Sequence, residues 1–97
     1  MANNIISNRG PFEFFHKIGA NSSMQDYAKM CILLSIQPQY VTYYDKCVLI
    51  KNKFEERYKG SWRVIIFKQY HGATYGNYKD VYMDIGFEDH NFIILNT

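Results

Sequence analysis

Apolar residues return along the middle of the chain at the rhythm of a helix. Tyr43, Cys47, Ile50, Phe54 and Tyr58 stand at i, i+4, i+7, i+11 and i+15, while Lys46, Lys53, Glu56 and Arg57 fall on the opposite side. Thr42-Tyr43-Tyr44-Asp45 precedes them as a capping pattern, and Gly60 follows where a helix C-terminal glycine belongs. A second stripe lies upstream: Tyr27, Cys31 and Leu34, with Met24 and Ala28 beside them. Ser23 with Asp26 three residues on is read as its cap, and Pro38 ends that helix near Ile36.

Beyond Gly60 the rhythm changes to that of strands. Residues 62–70 are rich in Val, Ile and aromatics. Residues 78–85 alternate, with Tyr78, Asp80, Tyr82 and Asp84 on one face and Val81, Met83 and Ile85 on the other. Residues 86–91 read as a turn, residues 92–95 as a short apolar strand, and residues 12–16 as a short aromatic strand. Residues 1–10, Asn-rich and ending at Gly10, read as a flexible tail before one domain over residues 11–97. Grouped helices followed by grouped strands predict an α+β fold, two helices packed on an antiparallel β-sheet.

The length, 97 residues, suits one domain, and 47% hydrophobic residues can build a core. A domain this small buries a limited share of its surface, which favours association. Nine Tyr and seven Phe suit strands and interfaces. The net charge of +2, with basic and acidic residues interleaved, argues against nucleic acid and against an anionic membrane. No segment approaches the ~20 apolar residues of a membrane span, and residues 1–10 lack a signal peptide's pattern. Cys31 and Cys47 sit among apolar residues on expected helices, so they read as reduced core thiols in a cytosolic setting.

Catalytic patterns are missing. Gly72 and Gly76 have no helix after them to make a phosphate loop. His16, His71 and His90 share no ligand spacing with one another or with the cysteines, so no metal and no cofactor is expected. Asp80 and Asp84 share a strand face, but nothing near them in sequence would tune a carboxyl. The chain reads as a non-enzyme.

The stretch Ile50-Lys51-Asn52-Lys53-Phe54-Glu55-Glu56-Arg57-Tyr58-Lys59-Gly60-Ser61-Trp62-Arg63-Val64-Ile65 resembles the centre of the small dynein light chain family. That family shows a helix ending in I-K-x-x-F-D-x-x-Y, a short turn, then W-H-x-I-V, and here Phe54, Tyr58, Trp62 and Ile65 keep the spacing. Residues 12–15, Met24 to Asp26, Tyr82 with Ile85-Gly86, and residues 92–95 match its remaining elements in order. The resemblance implies a strand-swapped two-fold dimer, homo- or heteromeric, with Trp62, Arg63, Val64 and Ile65 in the interface. It implies a peptide groove along Gln69, Tyr70, His71, Gly72, Ala73, Thr74 and Tyr75, completed by Tyr82 and Asp84. Clients, dynein intermediate chains among them, would add there as an extra strand. Asp84 stands where the family carries a second Tyr, which implies altered client choice; Arg63 replaces an interface His, which removes a titrating group. The implied setting is cytoplasm and cytoskeleton, including the axoneme of a cilium or flagellum. Two other readings stay open on these residues: a dimerising hub of the same fold outside dynein, and a small α+β nucleic-acid-binding domain.

Overall fold

The computed structural model describes residues 11–69 and 77–97. The expected tail, residues 1–10, and most of the expected groove strand, residues 70–76, lie outside the described residues. The elements run β1 (Phe12–Ile18), α1 (Ser22–Ser35), α2 (Tyr43–Arg57), β2 (Trp62–Lys68), β3 (Tyr82–Phe87) and β4 (His90–Asn96). The four strands form one antiparallel sheet in the order β1-β3-β4-β2. This is the expected α+β class, two helices on an antiparallel sheet.

Helix α2 starts as its sequence directs. Thr42 Oγ1 accepts from the Asp45 amide at 3.0 Å, and the Asp45 carboxylate reaches back to the Thr42 amide at 3.4 Å. Helix α1 starts earlier than expected. Asn21, not Ser23, is its cap, accepting from the Met24 amide at 2.9 Å. Asn caps as well as Ser, and the Gln25 side chain also ties this turn down by donating to the Ala20 carbonyl at 2.8 Å. Asp26 lies too far along to cap and instead stands 3.6 Å from Lys29.

The buried face of α1 is Ala28, Cys31, Ile32 and Ser35, one residue round from the expected stripe; Leu34 is half-buried and outside the core cluster. Ser35 can sit there because its hydroxyl donates to the Ile32 carbonyl at 2.7 Å, leaving no orphaned polar atom. From α2 come Ile50 and Phe54, and from the sheet Trp62, Ile66, Met83, Ile85, Phe87, Phe92 and Ile94. Phe54 is the hub, its ring 4.9 Å from Trp62, 5.4 Å from Tyr27 and 5.5 Å from Tyr58.

The β3–β4 hairpin corrects the expected turn at residues 86–91. Both strands extend further, Phe87 pairs with His90, and only Glu88 and Asp89 turn the chain. Gly86 belongs to the strand for a steric reason: a Cβ there would lie 2.5 Å from the Phe15 ring. Strand β3 begins at Tyr82 rather than residue 78, and Asn96 secures the segment leading into it. Its Oδ1 accepts from the Asp80 and Val81 amides at 2.9 and 2.7 Å.

Candidate functional site: the open edge and outer face of the sheet

Among the described residues, strand β2 pairs on one side only, with β4. Two hydrogen bonds just outside the strands fix which backbone groups are spent there. The Thr97 amide donates to the Ser61 carbonyl at 3.0 Å, and the Gln69 amide donates to the Asp89 carbonyl at 2.9 Å. In an antiparallel ladder such pairs recur at every second residue. Residues 63, 65 and 67 therefore bond to β4, and Trp62, Val64, Ile66 and Lys68 turn their amides and carbonyls to the open edge. The side chains alternate in step with this: Trp62, Val64 and Ile66 pack towards the helices, and Arg63, Ile65 and Phe67 lie on the outer face.

Helix α2 overhangs this edge. Glu55 Oε2 accepts from the outward Trp62 amide at 3.1 Å, while Glu55 Oε1 receives the Lys51 ammonium at 2.9 Å. The two bonds hold the Glu55 carboxyl below its ordinary value, the Lys51 bond contributing more than the amide. The Ile66 amide faces the Cys47 sulfur, which eases a thiol otherwise pushed up by burial. Burial pushes Cys31 up to about 11. Both cysteines are free, and neither has the electropositive, accessible setting of a reactive thiol.

Glu55 carries a pH prediction. A carboxyl depressed in the fold adds stability fully above its unfolded value of about 4.3, lost as pH falls through its folded value. Acid titration should thus show stability flat above about pH 5 and declining below about pH 4.5. Glu55→Gln should remove part of the decline. Trp62, the single tryptophan, reports it by fluorescence. Identical acid profiles for both proteins would contradict the Glu55 assignment.

The outer face gathers Arg63, Ile65 and Phe67 from β2, Asn91, Ile93 and Leu95 from β4, Tyr82, Asp84 and Gly86 from β3, and Glu13 and Phe15 from β1. Ile93 and Leu95 are 1% and 0% exposed yet stand outside the core cluster under the helices. Asp84 accepts from the Asn91 side-chain amide at 2.8 Å. Tyr82 stacks obliquely on Tyr78 at 5.5 Å, and burial, then Asp84, raises its hydroxyl.

The residues expected from the sequence fall into separate places. Gln69 follows the end of β2; Tyr70, His71, Gly72, Ala73, Thr74 and Tyr75 lie outside the described residues. Tyr82 and Asp84 sit two strands in from the open edge, behind β4. At about 4.8 Å per strand, that is roughly 10 Å of sheet between them and β2. Among the described residues, β4 separates them from the edge. Of the expected interface residues, Trp62 and Val64 face the helices, and Arg63 and Ile65 the outer face. Sequence reasoning missed Glu55, Cys47 and Asn91. The first two read as ordinary helix positions, and Asn91 as part of a turn. Among the described residues, no three His, Cys, Asp or Glu side chains group as metal ligands, and no helix is long and apolar enough to cross a membrane.

No family model matches the chain, and no curated protein matches it. Solved structures do. The dynein light chain-like domain of the Fasciola hepatica calcium binding protein FhCaBP2, as a mercury derivative, superposes with a TM-score of 0.75 at 12% identity, covering 91% of this chain and 93% of that one. Its native crystal gives a TM-score of 0.74 at 12% identity over 90% and 91% of the two chains. The DLC-like domain of CsTAL3 gives 0.62 at 14% identity over 89% and 92%. Helix pair, strand order and likeness over most of the chain agree: this protein has the dynein light chain-like fold.

Proposed function

We propose that this chain is a non-catalytic light-chain adaptor: it dimerises and holds extended peptide segments by strand addition. The open backbone edge of β2 carries the proposal. An unpaired edge is normally blunted by charge, proline or a covering element. Among the described residues, helix α2 covers this edge at two amides, with Glu55 on Trp62 and the Cys47 sulfur on Ile66, and the amides of Val64 and Lys68 point outward beside them. Residues 69–75 of a second copy would fill that edge, and the client would lie along the far side of that strand. In such a dimer, residues 69–75 of one copy would come near the sheet face of the other that bears Tyr82 and Asp84. Dynein intermediate chains are the client class the fold suggests, in cytoplasm or axoneme. Asp84, a carboxylate, favours client residues with Lys, Arg or amide donors.

The parity of the edge makes the dimer testable. Val64→Pro deletes an outward amide and leaves the β4 bonds intact, so it should fold and lose about 10–100-fold in dimer affinity. Ile65→Pro deletes a bond to β4 and should unfold the sheet. Sedimentation and circular dichroism check both. A Val64→Pro protein that dimerises like wild type would refute the edge. A peptide array drawn from dynein intermediate chains, read with wild type and Asp84→Tyr, tests the client. The proposal expects wild-type binding and a changed set of peptides with Asp84→Tyr; binding to no peptide would sink it.

A further inference from the structure

The sheet has a second edge, β1, at the far side from β2. Among the described residues, β1 pairs on one side only, with β3. The Asn96 amide donates to the Val81 carbonyl at 3.2 Å, and the Asn96 carbonyl accepts from the Lys79 amide at 2.8 Å. Asn96 thus bonds on the β3 side. By the alternation of an antiparallel ladder so do Ile94, Phe92 and His90, with Met83, Ile85 and Phe87. Tyr82, Asp84 and Gly86 are left to bond Ile18, His16 and Glu13 of β1. A bulge between Phe14 and His16 absorbs the odd residue. Phe12, Phe14 and Lys17 therefore turn their amides and carbonyls outward.

The side chains of those three residues stand on the helix side, opposite Phe87, Ile85 and Met83 of the core. Two ammonium groups converge on the half-buried Phe14 ring: Lys17 Nζ lies 5.7 Å from its centroid and Lys29 Nζ, from α1, 5.8 Å. Among the described residues, the carboxylate beside them is Asp26, 3.6 Å from Lys29 and largely exposed. The other carboxylates about the strand lie off this face. Glu13 and Asp84 are on the outer face, Asp80 is by Gly19 at one end of β1, and Glu88 follows Phe87 at the other. The helix side of this edge is therefore apolar at its centre and positive around it.

We propose that β1 is a second peptide-binding edge, selective for an acidic extended segment that adds antiparallel to it and sets Asp or Glu side chains against Lys17 and Lys29. Antiparallel addition continues the geometry of the other pairs in this sheet. In that geometry the client residues opposite Phe12 and Phe14 aim their amides at the edge and their side chains at the helix side. Hydrogen bonding and charge recognition thus fall on the same client residues. A second copy of this chain fits poorly: pairing β1 with β1 about Phe14 would crowd Lys17 and Lys29 of both copies together. Lysine and a bulge are devices that keep a sheet edge from pairing with its like, and here the same lysine favours a strand of opposite charge. The site lies at the opposite edge from β2 and does not rest on dimerisation.

The test titrates the full chain with blocked eight-residue peptides in which Val alternates with Glu, with Gln or with Lys, while recording backbone amide shifts. The Val–Glu peptide should give saturable shifts at residues 12–17 and 29 and bind at least about tenfold tighter than Val–Gln, with Val–Lys weaker still. Lys17 is exposed, so Lys17→Glu should fold; it should weaken Val–Glu about tenfold and strengthen Val–Lys. Methylating the Glu amides of the peptide should abolish binding, whereas methylating the Val amides should leave it unchanged. A purely electrostatic contact would not separate the two methylation patterns. Equal binding of the three peptides, equal effects of the two methylations, shifts centred on residues 62–68, or no saturation at millimolar peptide would each overturn the proposal.

Discussion

Phe54→Ala is expected to destabilise this chain by about 3–5 kcal/mol, the range for emptying a buried aromatic position. The side chain is fully buried and its ring touches three others, Tyr27, Tyr58 and Trp62. Those rings come from α1, from the residue that caps α2 and from β2, so one deletion loosens both helices and the sheet together. The hole cannot close cheaply, because aromatic neighbours are stiff and α2 is pinned at its start by the capping box. A domain of this size has about 5–15 kcal/mol in all, so most of the population should unfold in mild denaturant. Urea titration followed by Trp62 fluorescence measures the loss. Tyr44→Ala on the exposed side of the same helix should cost no more than about 0.5 kcal/mol. A loss below about 1 kcal/mol for Phe54→Ala would mean that Phe54 is not the hub of the core.

Gly19→Ala should be nearly as damaging, through the backbone. Gly19 has a φ of 72°, and a Cβ there would lie 2.0 Å from the Asp80 carbonyl oxygen. The left-handed conformation alone costs a side chain about 1 kcal/mol or more. The collision adds about 1–3 kcal/mol, since the end of β1 must separate from the segment before β3. Gly60 is the control. Its φ of 99° is equally unsuited to a side chain, but nothing lies within 4 Å of a built Cβ. Gly60→Ala should therefore pay only the conformational part. Equal losses at both positions, measured by thermal melting, would show that the close approach at Gly19 is not present in solution.

Much of this fold is legible in the residues. The capping box at Thr42 and the stripe of Ile50 and Phe54 gave α2 correctly, because local hydrogen bonds and amphipathic burial act together there. Val81, Met83 and Ile85 alternate as a strand with one buried face should. The errors have physical sources as well. Ser35 is polar, so a stripe built from apolar residues passes over it, yet its hydroxyl is satisfied by its own helix. Gly86 looks like a turn because glycine permits turns; here it makes room for the Phe15 ring arriving from a strand far away in sequence. Glu88 carries the positive φ that a turn reader assigns to glycine. The one-sided pairing of β2 among the described residues was not legible, since no residue type announces that a strand lacks a neighbour. Which amides face outward followed from two hydrogen bonds and the ladder's parity, which no sequence pattern contains.

The strand order has a further consequence for how the molecule assembles. Only β3 and β4 are joined by a short turn; β1 reaches β3 across most of the chain, as in the pairing of Phe12 with Phe87. Early, local closure is available to the hairpin and to the helix pair, and the outer strands must wait for it, because long loops cost entropy before they return contacts. The last strand to dock is then β1, bound along one side and mostly exposed. Any form that held the hairpin without its neighbours would leave both of its flanks vacant. The strands that flank it, β1 and β2, compete at that stage with any other extended chain nearby.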